Sequence, residues 1–164
     1  MPFQIPENLH PDCGPVAWML GTWQGNGRGD YPTIEPFQYG QELVFQQDGR
    51  PFLHYFSRSW IIDEEGQTVR QAAQETGFLR CRPEGQVELV LTHNTGFVEI
   101  WYGAAENGKL ELTTDAVART ESAKEVTAGH RLYGNVEGDL LYAYDMAAVG
   151  QPLQPHLWAR LQRA

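Results

Sequence analysis

Basic residues are scarce in this 164-residue sequence, which has 12 lysines and arginines against 21 aspartates and glutamates and a formal net charge of -9 at pH 7. No basic stripe could release counterions from phosphates, so the composition excludes a nucleic-acid-binding surface. No uninterrupted apolar run approaches the length of a membrane span, and residues 1–7 contain neither a basic n-region nor an apolar h-region. We therefore expect a cytoplasmic protein with no nucleic-acid or membrane partner.

Cysteine is equally sparse, and the two cysteines, Cys13 and Cys81, lack the spacing of a metal or redox motif. In a cytoplasmic protein we expect them to be unpaired small hydrophobic residues, with a disulfide as the less favoured alternative. No C-x-x-C-H motif is present, which excludes a covalently attached haem. A nucleophile elbow and an H-E-x-x-H motif are also absent, so the sequence offers no familiar catalytic motif of its own.

Glycine, by contrast, is concentrated around a tryptophan in the segment Gly21-Thr22-Trp23-Gln24-Gly25-Asn26-Gly27. Glycine weakens a strand unless another group must approach the backbone closely or the strand must bend. A phosphate-binding loop is excluded, because no helical pattern and no G-K-[ST] follows these glycines. The segment therefore predicts the first strand of a small closed barrel, with Trp23 inside one end.

Strand-like runs separated by turn signals such as Asn107-Gly108 follow this segment. The predicted runs are Phe37 to Gln46, Phe52 to Ile62, Thr68 to Gln74, Gly77 to Arg82, 86 to 91, Phe97 to Tyr102, Leu110 to Val117, Ala123 to Tyr133, Leu140 to Met146 and His156 to Leu161. About ten short strands, each close to its predecessor, indicate an all-β protein. We predict one domain over 1–164, a ten-stranded antiparallel up-and-down β-barrel that encloses room for one small ligand. Residues 1–17 are predicted as an irregular lead-in, with a short helix allowed over Val16 to Leu20.

The histidines are the remaining candidates for chemistry. We expect His10 to be solvent-exposed, His93 to have a strand-end or turn role, and His130 to lie on an outer face, while His54 could face either side of its strand. His156 differs because the proline-bounded segment 150–155 delivers it stiffly to the start of the last strand, as a metal ligand requires. A structural strand-end role is the alternative for His156. Similarly, Lys124 is either a solvated surface lysine or a contact for an anionic ligand.

Several segments together resemble the nitrobindin family of small haem-binding barrels, which are related in shape to lipocalins and fatty-acid-binding proteins. The resemblance runs from near residue 20 to the C-terminus, and its most specific part is the C-terminal stretch around His156. The similar segments are 21–27, 31–34 (Y-P-T-I), 51–55 (P-F-L-H-Y), 77–80 (G-F-L-R), 123–126 (A-K-E-V), 146–153 (M-A-A-V-G-Q-P-L) and 155–161 (P-H-L-W-A-R-L).

This resemblance implies one non-covalent haem b per chain, with His156 as the axial iron ligand and Thr33 and Lys124 as further haem-binding residues. It also implies that the protein binds nitric oxide and isomerises peroxynitrite to nitrate at ferric haem, as a peroxynitrite isomerase. Because the chemistry belongs to the haem iron, we expect no catalytic side chain. A non-enzymatic carrier or sensor for haem or another hydrophobic ligand, such as a fatty acid, is the alternative. A homodimer is a further expectation.

Strand alternation adds one architectural prediction. If the last strand alternates regularly, His156, Trp158 and Arg160 share one face. We therefore expect Trp23 to pack against the guanidinium of Arg160 inside one end of the barrel.

Overall fold

Ten antiparallel strands close into a barrel in the computed structural model, which describes residues 2–164. Each strand pairs with its neighbours in sequence, and β1 pairs with β10 to complete the ring. The strands are β1 (Gly21–Tyr31), β2 (Ile34–Gln46), β3 (Phe52–Ile62), β4 (Thr68–Cys81), β5 (Gln86–His93), β6 (Phe97–Glu106), β7 (Lys109–Arg119), β8 (Val126–Val136), β9 (Asp139–Ala148) and β10 (Gln154–Arg163). The predicted fold class is confirmed, although the predicted runs 68–74 and 77–82 form one continuous strand, β4.

A 3-10 helix over Pro11–Met19, here called the lid, covers the barrel end at which β1 begins. It starts five residues before the predicted Val16, and His10 caps it by accepting a hydrogen bond from the Asp12 backbone N–H at 3.1 Å. A second, three-residue 3-10 helix, Pro83–Gly85, leads into β5. Among residues 2–164, no helix is long and apolar enough to cross a membrane.

Trp23 is fully buried beneath the lid, as predicted, and its indole N–H donates to the Met19 carbonyl at 2.8 Å. The prediction that Arg160 packs on it is wrong. The guanidinium of Arg163 lies 4.2 Å from the Trp23 ring, whereas Arg160 is exposed and pairs with Asp139 on the outer surface. The cause is a β-bulge in β10 at His156, since the register passes from Pro155 opposite Asp145 to Leu157 opposite Tyr144. The extra residue reverses the alternation after His156.

The glycines of β1 make room for neighbouring side chains, as their concentration predicted. A Cβ at Gly27 would lie only 2.7 Å from both the Tyr39 ring and the Ala159 methyl group, and the Phe37 ring occupies the place of a Cβ at Gly29. Consequently, the aromatic rings of β2 reach inward across β1 towards the start of β10.

Both cysteines are buried, Cys13 within the lid and Cys81 at the end of β4, and their thiols are free within residues 2–164. Burial raises the pKa of both thiols, so they are protonated at neutral pH. The expectation of unpaired hydrophobic cysteines is confirmed.

Candidate functional site at the far end of the barrel

The barrel end opposite the lid, here called the far end, collects the three predicted haem-binding residues. His156 lies near the start of β10, Thr33 is in the turn between β1 and β2, and Lys124 is in the connection between β7 and β8. Thr33 and Lys124 are exposed, and His156 is partly buried. Antiparallel connectivity brings these positions to one end because each of them precedes or follows a strand terminus on that side.

The β-bulge fixes the orientation of His156. Its Nδ1 lies 3.0 Å from the Asp30 carbonyl oxygen, and a carbonyl only accepts, so Nδ1 carries the proton and donates. The lone pair is therefore on Nε2, which is the nitrogen available to bind a metal. The last strand thus delivers an imidazole in a fixed tautomer.

Three aromatic rings surround the His156 imidazole edge-on. Ring centroids lie 5.3 Å away for Tyr31, 5.9 Å for Tyr144 and 6.3 Å for Phe37. Burial and the Lys124 charge lower the pKa of His156, and the hydrogen bond to Asp30 opposes this shift only in part. The imidazole is consequently neutral at physiological pH, which is the form that ligates iron.

Behind these rings, the middle of the barrel contains a charged layer that the sequence analysis did not predict, made of Glu75, His93, Glu99 and Arg131. Two hydrogen bonds of 2.7 Å join the fully buried Arg131 guanidinium to Glu75. Arg131 also stacks on Tyr144, 4.8 Å from its ring, and so connects this layer to the aromatic wall of His156. Burial raises the pKa of Glu75, but the Arg131 charge and its hydrogen bonds outweigh that effect and lower it to about 2.

His93 lies inside this layer, where its two ring nitrogens face two carboxylates. Nε2 is 2.6 Å from Glu99 Oε1, Nδ1 is 3.4 Å from Glu75 Oε2, and the ring stacks on Phe97 at 3.8 Å. His93 is the last residue of β5, so the predicted strand-end position is confirmed, but its contacts with two carboxylates were not predicted. The signal in the sequence was the position of Glu99 between Phe97 and Trp101, a charge on the inward face of β6.

The other two histidines lie on the outside of the barrel. His130 contacts Glu111 at 2.9 Å on the outer face, as predicted. His54 faces outward, where it contacts the Thr76 hydroxyl at 3.1 Å and packs against Phe78.

The residues at the far end fit a haem. A haem needs a neutral axial imidazole, apolar surfaces against its macrocycle and a cation near its carboxylates. His156 supplies the imidazole, the rings of Tyr31, Phe37 and Tyr144 supply the apolar surfaces, and Lys124 supplies the cation.

Comparison with known proteins agrees with this geometry. The family model described as "THAP4-like, heme-binding beta-barrel domain" matches residues 12–163. A protein of Nocardioides sp. strain JS614 named peroxynitrite isomerase is 78% identical over 163 residues, covering 99% of each chain. A ferric nitrobindin-like protein of Cutibacterium acnes is 43% identical and covers all of both chains. The crystal structure of Rv2717c from M. tuberculosis superposes with a TM-score of 0.85 at 40% identity, covering 95% of this chain and 99% of that one. The resemblance to nitrobindins is confirmed, and the chain belongs to the THAP4-like family of heme-binding β-barrel domains.

Proposed function

We propose that this chain is a single-domain haem protein that isomerises peroxynitrite to nitrate. One haem b would be held without a covalent bond by His156, with Thr33 and Lys124 as further haem-binding residues at the far end. The observation that carries the proposal is the His156 imidazole, neutral and fixed by Asp30 in the tautomer that leaves Nε2 free to ligate. The name of the 78% identical relative supports the activity.

The haem and the side chains of the protein have separate roles in the proposed reaction. When bound, haem supplies a ferric iron that acts as a Lewis acid towards the peroxide oxygen of the substrate. The protein's part is to hold the macrocycle through His156, to enclose it with the rings of Tyr31, Phe37 and Tyr144, and to attract its carboxylates with Lys124. With His156 as its single protein ligand, the iron would remain able to bind peroxynitrite or nitric oxide, and we propose nitric oxide as a second small-molecule ligand.

A fatty-acid carrier is disfavoured by the charged layer. An acyl chain in a barrel needs an apolar space deep inside, and here Glu75, Glu99 and Arg131 cross the middle of the barrel with at most 11% of any of these side chains exposed. Burying an alkyl chain against charged groups costs their remaining hydration without adding a partner.

Substitution of His156 tests the proposal. We expect His156→Ala to leave the barrel folded, because the closed ladder and core maintain it, and to abolish the Soret band, the nitric-oxide spectral shift and the acceleration of peroxynitrite decay together. His130→Ala, which removes an outer-face imidazole, is the matched control and should preserve all three. The measurements are far-UV circular dichroism, absorption spectra and stopped-flow decay.

Two results would contradict the proposal in different ways. An unchanged Soret band in His156→Ala would show that the iron is bound elsewhere. If the wild-type holoprotein decomposes peroxynitrite no faster than free haem, the isomerase function is excluded. The alternative function with the same fold, a haem carrier or sensor, would then apply.

A homodimer is proposed on the outer surface of β4, β5 and β6. Phe78, Val90 and Ile100 stand in direct register there and are each 40–47% exposed. A closed barrel has no free strand edge, so a second copy has to dock face to face. Arg80 and Glu88, which pair on the same face, can exchange partners across a two-fold axis. Sedimentation velocity of Val90→Glu against wild type tests this arrangement, because the variant should be monomeric.

The cytoplasm is the proposed location. Two buried, protonated, unpaired thiols are typical of a reducing compartment. Peroxynitrite and nitric oxide, both small and diffusible, are the proposed partners.

A further inference from the structure

Tyr31, the last residue of β1, adjoins the backbone group that holds His156. The residue before it, Asp30, lies at a β-bulge between β1 and β2, and its carbonyl accepts the His156 Nδ1–H at 3.0 Å. The ladder between β1 and β10 ends at Gly29 opposite Leu157. Asp30 and His156 therefore lie just beyond the last residue pair of this ladder. Their contact depends on what holds the two strand ends in place at the rim of the barrel.

The Tyr31 hydroxyl reaches past β10 and makes hydrogen bonds to the end of β9. It accepts from the Ala148 N–H at 3.0 Å and donates to the Met146 carbonyl at 3.0 Å, with the Ala148 carbonyl at 3.4 Å. In the ring of strands β10 lies between β1 and β9, so β1 and β9 share no ladder. Both Tyr31 and Ala148 are only 4% exposed, so water does not replace these bonds. One buried hydroxyl thus ties together two strands that backbone pairing leaves separate.

The turn that follows Ala148 has a strained backbone. Val149 adopts a φ of +45°, and the Gln151 N–H closes the turn by donating to the Ala148 carbonyl at 2.8 Å. Positive φ is exceptional for a β-branched residue and persists only where surrounding contacts hold it. On one side, Tyr31 accepts the Ala148 N–H. On the other, the Glu125 carbonyl accepts the Val149 N–H at 3.0 Å, which ties the turn to the segment that contains Lys124.

This turn opens the connection that carries His156 into β10. The connection between β9 and β10 covers only 149–153, and Pro152 and Pro155 restrict its backbone. A displacement of Ala148 is therefore passed along a short, stiff segment to the start of β10. The Tyr31 ring also lies edge-on to the imidazole, with 5.3 Å between the ring centroids. One side chain thus contacts both His156 and the turn before it.

We propose that the Tyr31 hydroxyl positions His156 for ligation. By holding the end of β9 against β1, it keeps the start of β10 where Nδ1 meets the Asp30 carbonyl and Nε2 stays free. This inference rests on the proposed function, because Nε2 matters only if His156 binds the haem iron. Tyr31 is a positioning residue, since its hydroxyl is engaged by β9 and acts through His156. An aromatic ring that served only as an apolar wall would need no hydroxyl, so the two roles are separable.

Tyr31→Phe keeps the ring and removes the hydroxyl, and its first test uses the haem-free protein. Nitrogen-15 NMR at neutral pH shows which imidazole nitrogen of His156 carries the proton. We expect the Nδ1–H tautomer to predominate in wild type and the Nε2–H fraction to rise at least threefold in Tyr31→Phe. The Ala148 amide should exchange at least tenfold faster, because its buried N–H loses its acceptor.

Haem retention is the second readout. Haem transfer to apomyoglobin should be at least fivefold faster from Tyr31→Phe than from wild type, because the imidazole no longer has a fixed orientation. Tyr39→Phe is the matched control. It removes another buried tyrosine hydroxyl, one that makes no hydrogen bond within residues 2–164. Tyr39→Phe should leave the tautomer fraction, the Ala148 exchange rate and the haem transfer rate unchanged.

Three results would overturn this inference. One is a wild-type tautomer fraction in Tyr31→Phe, and another is haem transfer within twofold of wild type when His156→Ala loses its haem. The third is amide exchange that accelerates equally in β4 and β9, which would show a general loss of stability. Retention of haem by His156→Ala would instead refute the proposed function. The tautomer and exchange measurements, made without haem, would still decide whether Tyr31 positions His156.

Discussion

Replacing Arg131 by methionine should destabilise the barrel more than most single substitutions. Its guanidinium is completely buried, makes two 2.7 Å hydrogen bonds to Glu75, and lies 4.9 Å from the Trp101 ring and 4.8 Å from the Tyr144 ring. Methionine fills a similar volume but leaves the Glu75 carboxylate buried with only Tyr55 and His93 as partners. Breaking one side of a buried ion pair costs about 3–5 kcal/mol, and we expect a loss of this size.

A double-mutant cycle separates the charge effect from the packing effect. Glu75→Gln alone should also destabilise the protein, because it leaves Arg131 without its counter-charge. The double variant Arg131→Met/Glu75→Gln leaves no uncompensated charge, so it should be less destabilised than the sum of the two single changes by at least about 2 kcal/mol. Arg58→Met is the matched control: Arg58 pairs with Glu42 on the outer surface at 43% exposure, and its loss should cost about 0–1 kcal/mol.

The pH dependence of stability provides a second test of the Arg131–Glu75 pair. The pKa of Glu75 falls from 4.5 to about 2 on folding, so its contribution is present above pH 4.5 and is lost as the pH falls through 2. A shift of this size corresponds to about 3 kcal/mol at 1.36 kcal/mol per pKa unit. In Arg131→Met the carboxyl group loses its main counter-charge and should protonate at higher pH. The deficit of this variant relative to wild type should therefore shrink between pH 7 and pH 4.

Urea unfolding followed by tryptophan fluorescence measures these differences. The reasoning is refuted if Arg131→Met costs less than 1 kcal/mol at pH 7. It is also refuted if the double variant equals the sum of the single variants, or if the deficit of Arg131→Met grows as the pH falls.

Three further predictions concern single positions. Lys124→Ala should weaken haem retention only slightly, by about 0–1 kcal/mol, because this lysine is exposed. Haem transfer to apomyoglobin measures the effect, and complete loss of haem would show a structural role for Lys124. Arg163→Gln should loosen the lid, since the Arg163 guanidinium stacks on Trp23 and donates to the carbonyls of Leu20 and Trp18. We expect faster hydrogen exchange of the backbone amides over 11–20, and an unchanged exchange rate would contradict this prediction. Gly27→Val should destabilise the barrel by more than about 2 kcal/mol in urea unfolding, since its Cβ would overlap Tyr39 and Ala159. Gly134→Val, in β8 with no atom within 4 Å of the added Cβ, is the matched control and creates no such overlap.

Local signals in the sequence determined much of the architecture. Alternating apolar residues and turn dipeptides predicted the antiparallel strands and their closure, and the glycines around Trp23 marked the strand that other side chains approach. The proline-bounded segment before His156 marked this histidine as a candidate, and the resemblance to nitrobindins made it the proposed iron ligand. These features depend on residues close together in the chain, whose consequences for backbone geometry do not require knowledge of the fold.

Only the tertiary structure decided which side chains meet inside the barrel. The β-bulge at His156 inserts one residue into the pairing with β9, so regular alternation assigned Arg160 to a position that Arg163 occupies. The charged layer is equally non-local, because Glu75 and Arg131 are 56 residues apart in sequence. A buried charge is stable only beside its partner, and the closed strand order brings such partners together at one level of the barrel. Local alternation gives the inward or outward side of a strand, but register and bulges determine what lies opposite.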